Sequence, residues 1–456
     1  MSALDVCKFG GTSVADARQI EKVRRIVADG SARRVVVVSA PGKGPEDRHK
    51  VTDHLFNLAS GGEALREERP PVTAEESRDA VLAKFHALVE GLGVDGEDLL
   101  AGLREDLETD RTGDARVAFL ASRGEHYNAR LVARYFAHRG MDARVALPED
   151  FGFVVEGPLL DARLREGSHA RARGLADGAG VVVVPGYYGV TEAGEVAVFS
   201  RGGSDLTGGE LAYALDAGTY ENWTDVAGVF EVDPRIVPRA RAIPRLTFKE
   251  LRLLSAKGFD VFHFDAMLAC KARKIPIHIR DTNAPDQRGT LILNERVPEE
   301  GIVGIARLDD VAWLYVEKDM LGEEGGFSAE LLSLLQDFGI TTFHFPTDRD
   351  DIAVLVNQGD LLGSINDLRR RIERELAPDY LDVQYNVSVL TPVGIGLKGD
   401  ARPIVDALTT LAAAHIPIEM IDQSPSQLCF HVAVRRAVAD DALELLYETL
   451  IEQRGH

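Results

Sequence analysis

The chain has 456 residues, 45% of them apolar and 27% charged, a soluble globular composition whose length predicts two or three domains. Its formal net charge of −21 argues against a nucleic-acid backbone as partner, which calls for basic patches, while a small anionic ligand needs only a local group of cations and helix ends. No apolar run reaches membrane-spanning length, so no membrane partner is expected. The amino terminus has neither a basic nor an apolar export segment, which predicts a cytoplasmic protein. Cys7, Cys270 and Cys429 stand far apart in no metal-ligand spacing and read as packed or free thiols.

In chain order, residues 4–9 predict a strand that breaks at Gly10-Gly11-Thr12-Ser13 into a helix with Val14, Ala17, Ile20, Val23 and Val27 on one stripe. Lys8 falls at the strand's carboxyl end, where open α/β sheets place ligands. Taken alone, a lysine beside two glycines is more often a solvated loop charge. Residues 35–39 predict a second strand, followed by Ala40-Pro-Gly-Lys-Gly-Pro. That loop lacks the first glycine of a P-loop, since Val37 holds its place, and is expected to be a mobile surface loop closing over substrate. Helical periodicity runs from about 55 to 107, and residues 117–122 predict a strand ending at Arg123-Gly124-Glu125 before a helix over 127–138. Strands follow over 143–147, 153–155 and 181–184, the last feeding Pro185-Gly186-Tyr187-Tyr188-Gly189.

A second strand–glycine turn–helix unit begins at residue 196. Arg201-Gly202-Gly203 bends the chain, and Ser204 and Asp205 are expected at the cap of a helix carrying Leu206, Leu211 and Leu215. A strand then leads to Thr224-Asp225. A glycine turn with a cation, a carboxylate and bare helix amides suits phosphate handled beside a charged small molecule. Alternation of strands and helices to about residue 293 predicts an α/β domain with a largely parallel sheet, ending at the polar stretch 295–301. Beyond it, two successive β-α-β-β-α patterns predict a pair of ferredoxin-like modules, which either bind a ligand or hold a dimer together. The expected boundaries are 1–294, 302–380 and 381–456. Paired sheets of this kind predict a homodimer or higher homo-oligomer.

Lys8-Phe9-Gly10-Gly11-Thr12-Ser13, Ser200-Arg201-Gly202-Gly203-Ser204-Asp205 and Trp223-Thr224-Asp225-Val226 together resemble the aspartate kinases of the amino-acid kinase family, and the repeat is similar to that family's tandem ACT modules. The resemblance implies an amino-acid-kinase-like three-layer α/β domain followed by two α+β modules. It implies transfer of the γ-phosphoryl group of ATP to the β-carboxylate of L-aspartate, the entry to lysine, threonine and methionine biosynthesis, with Mg²⁺ arriving on ATP. It also implies feedback by an amino-acid effector such as lysine or threonine at the ACT modules. On matching positions, Lys8 and Asp205 are the implied catalytic pair, and Thr52, Glu125, Tyr187, Arg201 and Ser204 the aspartate pocket. Lys8, Gly10, Gly11, Thr12, Thr224, Asp225, Phe230 and Arg235 are the implied nucleotide contacts. Phe230 stands where the family often has Tyr, and Asp260 where it often has Lys, so Lys257 is the expected substitute for the missing cation. The alternatives are a sibling kinase acting on glutamate, a carbamate or UMP, and an amino-acid sensor that kept the fold without the chemistry.

Overall fold

The computed structural model describes residues 4–44, 47–200, 202–255, 264–297, 301–319 and 326–453. The chain divides into two compact units. The first takes the residues up to Val229, Ala242–Phe248 and the stretch ending at Glu295; the second takes Phe230–Arg241, the segment beginning at Lys249 and everything from Arg296.

The first unit is built on an eight-stranded sheet in the order Arg245–Thr247, Thr290–Leu293, Ile277–Asp281, Thr219–Thr224, Asp5–Phe9, Arg33–Val38, Val181–Pro185 and Ala143–Val145. Every pairing is parallel except that of Ile277–Asp281 with Thr290–Leu293. The strands are Val-rich and short, as expected where both faces are covered. Side-chain alternation sends Cys7, Phe9, Val36 and Val38 into a core with the helices Ala17–Ala28, Val51–Ala59, Ala74–Leu92, Glu97–Leu107 and Gly113–His138. It turns Lys8 to the other face, where the helix Gly203–Leu215 packs and is joined by Phe264–Ala272. The expected three-layer, largely parallel α/β domain is present. Asp16 starts the first helix by accepting the Gln19 amide at 2.9 Å.

Two sequence expectations are corrected here. Residues 117–122 are not a strand but part of the 26-residue helix Gly113–His138. Burial runs without a break from Ala118 to Ala129, so this helix has no polar face in that region and its sequence loses the 3.6-residue period. The loop after the second strand is not a surface loop in its first half: Ala40, Pro41 and Gly42 are buried, and the Gly42 amide donates to the Gly11 carbonyl at 2.8 Å.

The second unit contains one six-stranded antiparallel sheet, ordered Thr342–His344, Asp351–Asn357, Gly304–Glu317, Tyr380–Val393, Phe430–Arg435 and Met420–Gln423. The two expected α+β copies are recognisable as two cores. One lies under the helices Phe327–Asp337 and Ile365–Glu375, the other under Arg402–Ala413 and Ala439–Tyr447. They share the two long strands. Gly304–Glu317 shifts register between Leu308 and Val311; its first half pairs with residues 389–393, its second with 351–357 and 380–387. A sequential division at 380/381 therefore does not separate the strands of the two cores. The segment Phe230–Arg241 is built into the second core: Val232 and Val237 belong to it, Tyr447 donates to Glu231 at 2.8 Å, and Arg239 meets Glu444, Glu448 and Glu452 at 2.7, 2.8 and 3.1 Å. Among the described residues, no helix is long and apolar enough to cross a membrane.

Candidate active site

The first unit gathers its glycine turns at the carboxyl ends of the central strands. Gly10 donates to the Trp223 carbonyl at 3.0 Å, Ser39 to the Phe9 carbonyl at 3.1 Å and Gly186 to the Val38 carbonyl at 3.0 Å. Four neighbouring strands are thus stitched together where they end. Lys8 crosses from the sheet to the covering helix, and its Nζ lies 2.6 Å from Asp205 Oδ1, both side chains being largely buried. The two turns that the sequence separates by almost 200 residues meet through this pair. Gly202, at φ 67° in the left-handed region, is the residue at the helix cap; Ser204 and Asp205 stand inside the first turn instead of at the cap. There a carboxylate is favoured by the helix dipole.

Two close approaches need glycine. A Cβ on Gly42 would stand 2.5 Å from the Gly11 carbonyl carbon and 2.7 Å from the Thr12 amide, and a Cβ on Gly186 would stand 2.6 Å from Ser204 Cβ. Backbone cannot yield as a side chain does. Gly42→Ala is therefore expected to destabilise the fold by about 1–3 kcal/mol by displacing the Gly11-Thr12 turn, a loss that denaturant titration measures.

Beside the Ala40 backbone stands Glu125. It projects from the middle of Gly113–His138, is fully buried, takes a backbone hydrogen bond from Ala40, and leaves Oε2 without a hydrogen-bond partner among the described residues. Burial pushes its pKa up to about 8. His126 gives it no counter-charge: bonded to the Tyr188 hydroxyl at 2.9 Å, its pKa is driven down to about 2 by burial and by Arg123 and Arg130. Tyr187 sits at φ 77° with its amide held by Thr207 Oγ1 at 3.1 Å, and burial together with the Glu125 charge raises the pKa of its hydroxyl. A buried acid with an unused oxygen is costly unless something cationic completes it.

The chain that carries these groups has known relatives. Residues 4–281 match the model of the amino acid kinase family. The chain is 33% identical to Aspartokinase 3 of Bacillus subtilis (strain 168) over 98% of each chain.

The chain belongs to the amino acid kinase family, among its aspartokinases.

The structure of Clostridium acetobutylicum aspartate kinase, described as an allosteric enzyme, superposes with a TM-score of 0.88 at 29% identity, covering 98% of this chain and 100% of the other. Escherichia coli aspartokinase III in complex with aspartate and ADP shares the fold at a TM-score of 0.72 and 24% identity, covering 98% of this chain and 99% of the other.

Within the aspartokinase framework the expected site residues fall into three groups. Lys8, Gly10, Gly11, Thr12, Glu125, Tyr187, Ser204, Asp205, Thr224 and Asp225 all lie in the first unit, as does Thr52 in the first turn of Val51–Ala59. Thr12 and Asp225 are exposed, and the Thr224 carbonyl accepts the Thr282 amide at 2.9 Å. Ser13 and Thr282 join hydroxyls at 2.7 Å, tying the first turn to the end of Ile277–Asp281. Phe230 and Arg235 belong to the second unit, where the exposed Arg235 guanidinium closes on Asp233 at 2.6 Å. Arg201, Lys257 and Asp260 lie outside the described residues. Sequence reasoning missed Asn222, which donates to Asp205 Oδ1 at 3.2 Å, and Asn128, which holds the Ser39 carbonyl at 2.7 Å. Neither stands in an apolar run, since Asn222 follows Glu221 and Asn128 follows Glu125-His126-Tyr127, so no local pattern marked them.

Proposed function

We propose that this aspartokinase transfers the γ-phosphoryl group of ATP to the β-carboxylate of L-aspartate. The observation that carries this reading is the buried Lys8–Asp205 pair joining the two glycine turns. One oxygen of the ionised β-carboxylate attacks Pγ, the bond from Pγ to the β,γ-bridging oxygen breaks, and ADP leaves with the electron pair. The nucleophile is already an anion, so no general base is needed. The barrier lies in bringing two anions together, and positioned cations and amides lower it. Lys8 and the Gly10 and Gly11 amides supply this at the phosphoryl group, and Asp205 fixes Lys8. Glu125 takes the substrate's α-ammonium through its free oxygen, Arg201 forks onto the α-carboxylate, and Thr52, Tyr187 and Ser204 complete the pocket. Thr12, Thr224 and Asp225 line the nucleotide side.

Mg²⁺ would enter as part of Mg·ATP, keeping several waters. The chain works as a cytoplasmic homodimer, with the two α+β cores of the second unit receiving lysine or threonine as effector. A coupled ADP-release assay with aspartate, glutamate and carbamate as acceptors, with hydroxylamine trapping of the acyl phosphate, tests the transfer. Equal rates with glutamate, or no trapped hydroxamate, would overturn it. Inhibition by lysine and threonine, singly and together, tests the effector.

A further inference from the structure

Asn222 occupies a position where an apolar side chain would be the ordinary choice. It is the direct neighbour of Lys8 in the parallel pairing of Asp5–Phe9 with Thr219–Thr224. The row continues with Val37 beyond Lys8 and Ile279 beyond Asn222, both fully buried. Of these four residues only Lys8 and Asn222 are polar, and both reach the same atom. Asp205 Oδ1 receives Lys8 Nζ at 2.6 Å and Asn222 Nδ2 at 3.2 Å. Asn222 is 4% exposed and its Oδ1 has no hydrogen-bond partner among the described residues, so the amide gives up half its hydrogen-bonding capacity to serve Asp205. Two residues earlier on the same strand and face, the Tyr220 hydroxyl donates to the Asp205 backbone carbonyl at 3.4 Å. Among the described residues, Lys8 and Tyr220 are the ionisable groups bonded to this aspartate, and the strand Thr219–Thr224 grips it at both main chain and carboxylate.

We propose that Asn222 is a positioning residue for phosphoryl transfer, holding the Asp205 carboxylate so that Lys8 is fixed where charge develops. An amide suits this task because it donates a hydrogen bond without altering the charge balance between lysine and aspartate. A second cation there would compete with Lys8 for Asp205, and a second carboxylate would repel it. The inference rests on the transfer reading above, in which Lys8 acts on the phosphoryl group.

The test measures kcat and both KM values across about pH 6–9 for the full-length enzyme, Asn222→Leu and Asn222→Asp. Alongside these it measures the rate at which acetic anhydride acetylates Lys8, read by peptide mass spectrometry, which needs no turnover. Asn222→Leu is expected to lower kcat by about tenfold or more, the effect of removing a hydrogen bond to a charged group, with both KM values within about threefold. Lys8 should be acetylated several-fold faster, because the carboxylate that holds it is no longer fixed. Asn222→Asp should be most active at the acid end and lose activity as pH rises, because a protonated carboxyl donates to Asp205 while an ionised one repels it. A merely structural amide would produce neither the split between kcat and KM nor the reversed slope. Wild-type kcat and Lys8 reactivity in Asn222→Leu would overturn the proposal. Should that variant fail to fold, the near-isosteric Asn222→Asp decides: a reversed slope supports the proposal and a wild-type slope overturns it. Absence of aspartate-dependent ADP release in the unaltered enzyme would refute the transfer reading instead, and Lys8 reactivity would then judge Asn222 by itself.

Discussion

Lys8→Ala is expected to lower kcat by about 10²–10³-fold, the effect of losing a preorganised donor at developing charge, with a smaller change in either KM. The substitution does more than delete a cation. Asp205 would remain beside the incoming phosphate with Asn222 as its remaining side-chain donor among the described residues, 3.2 Å away. An uncompensated anion in that place opposes the triphosphate. The effect should therefore be strongly non-additive: Lys8→Ala combined with Asp205→Asn should be less impaired than the product of the two single losses, because the second change removes the anion that the first exposes. Steady-state kinetics on the four proteins of this cycle give the answer. A raised KM for ATP at unchanged kcat would reduce Lys8 to a binding residue, and strict additivity would mean that lysine and aspartate act separately.

The meeting of these two residues was legible because glycine turns carry their geometry locally. A strand that ends in Gly-Gly beside a charged residue must present that residue at the sheet's ligand edge, and two such units predicted one site. What stayed hidden depends on contacts between distant segments. Residues 117–122 read as a strand because a helix enclosed on every side no longer shows a polar face. The burial of Ala40–Gly42 follows from the Gly42–Gly11 hydrogen bond, which no local pattern announces. The sharing of Gly304–Glu317 and Tyr380–Val393 between two cores was equally invisible, since a repeat in sequence says nothing about which half of a long strand pairs with which partner. Asn222 looked like an ordinary strand residue until its register opposite Lys8 was known. Arg235 was expected on nucleotide, and its position two residues from Asp233 allows the local ion pair that the structure contains.

Glu125 provides the second large effect, and its sign follows from burial. With its pKa pushed up to about 8, the carboxyl of the empty site is mostly protonated at neutral pH. Only its anion can pair with the α-ammonium of aspartate. The kcat/KM for aspartate should thus climb by up to about tenfold per pH unit below about 8 and level off above it, with binding at neutral pH releasing a proton that calorimetry in buffers of different ionisation enthalpy would detect. Stability of the unliganded enzyme should run the other way. A carboxyl whose folded pKa exceeds its unfolded value near 4.5 stabilises the fold fully below that value. The contribution is lost as pH rises towards 8, at up to about 1.4 kcal/mol per unit, and saturating aspartate should restore it. Glu125→Gln should abolish both slopes at once, raise the KM for aspartate on the order of 10²-fold for loss of a buried charged partner, and make the unliganded enzyme more stable than the unaltered one above pH 8. A flat kcat/KM profile from about pH 6 to 8 in the unaltered enzyme would show that Glu125 is already ionised there, and that the cation it waits for is supplied by the protein itself.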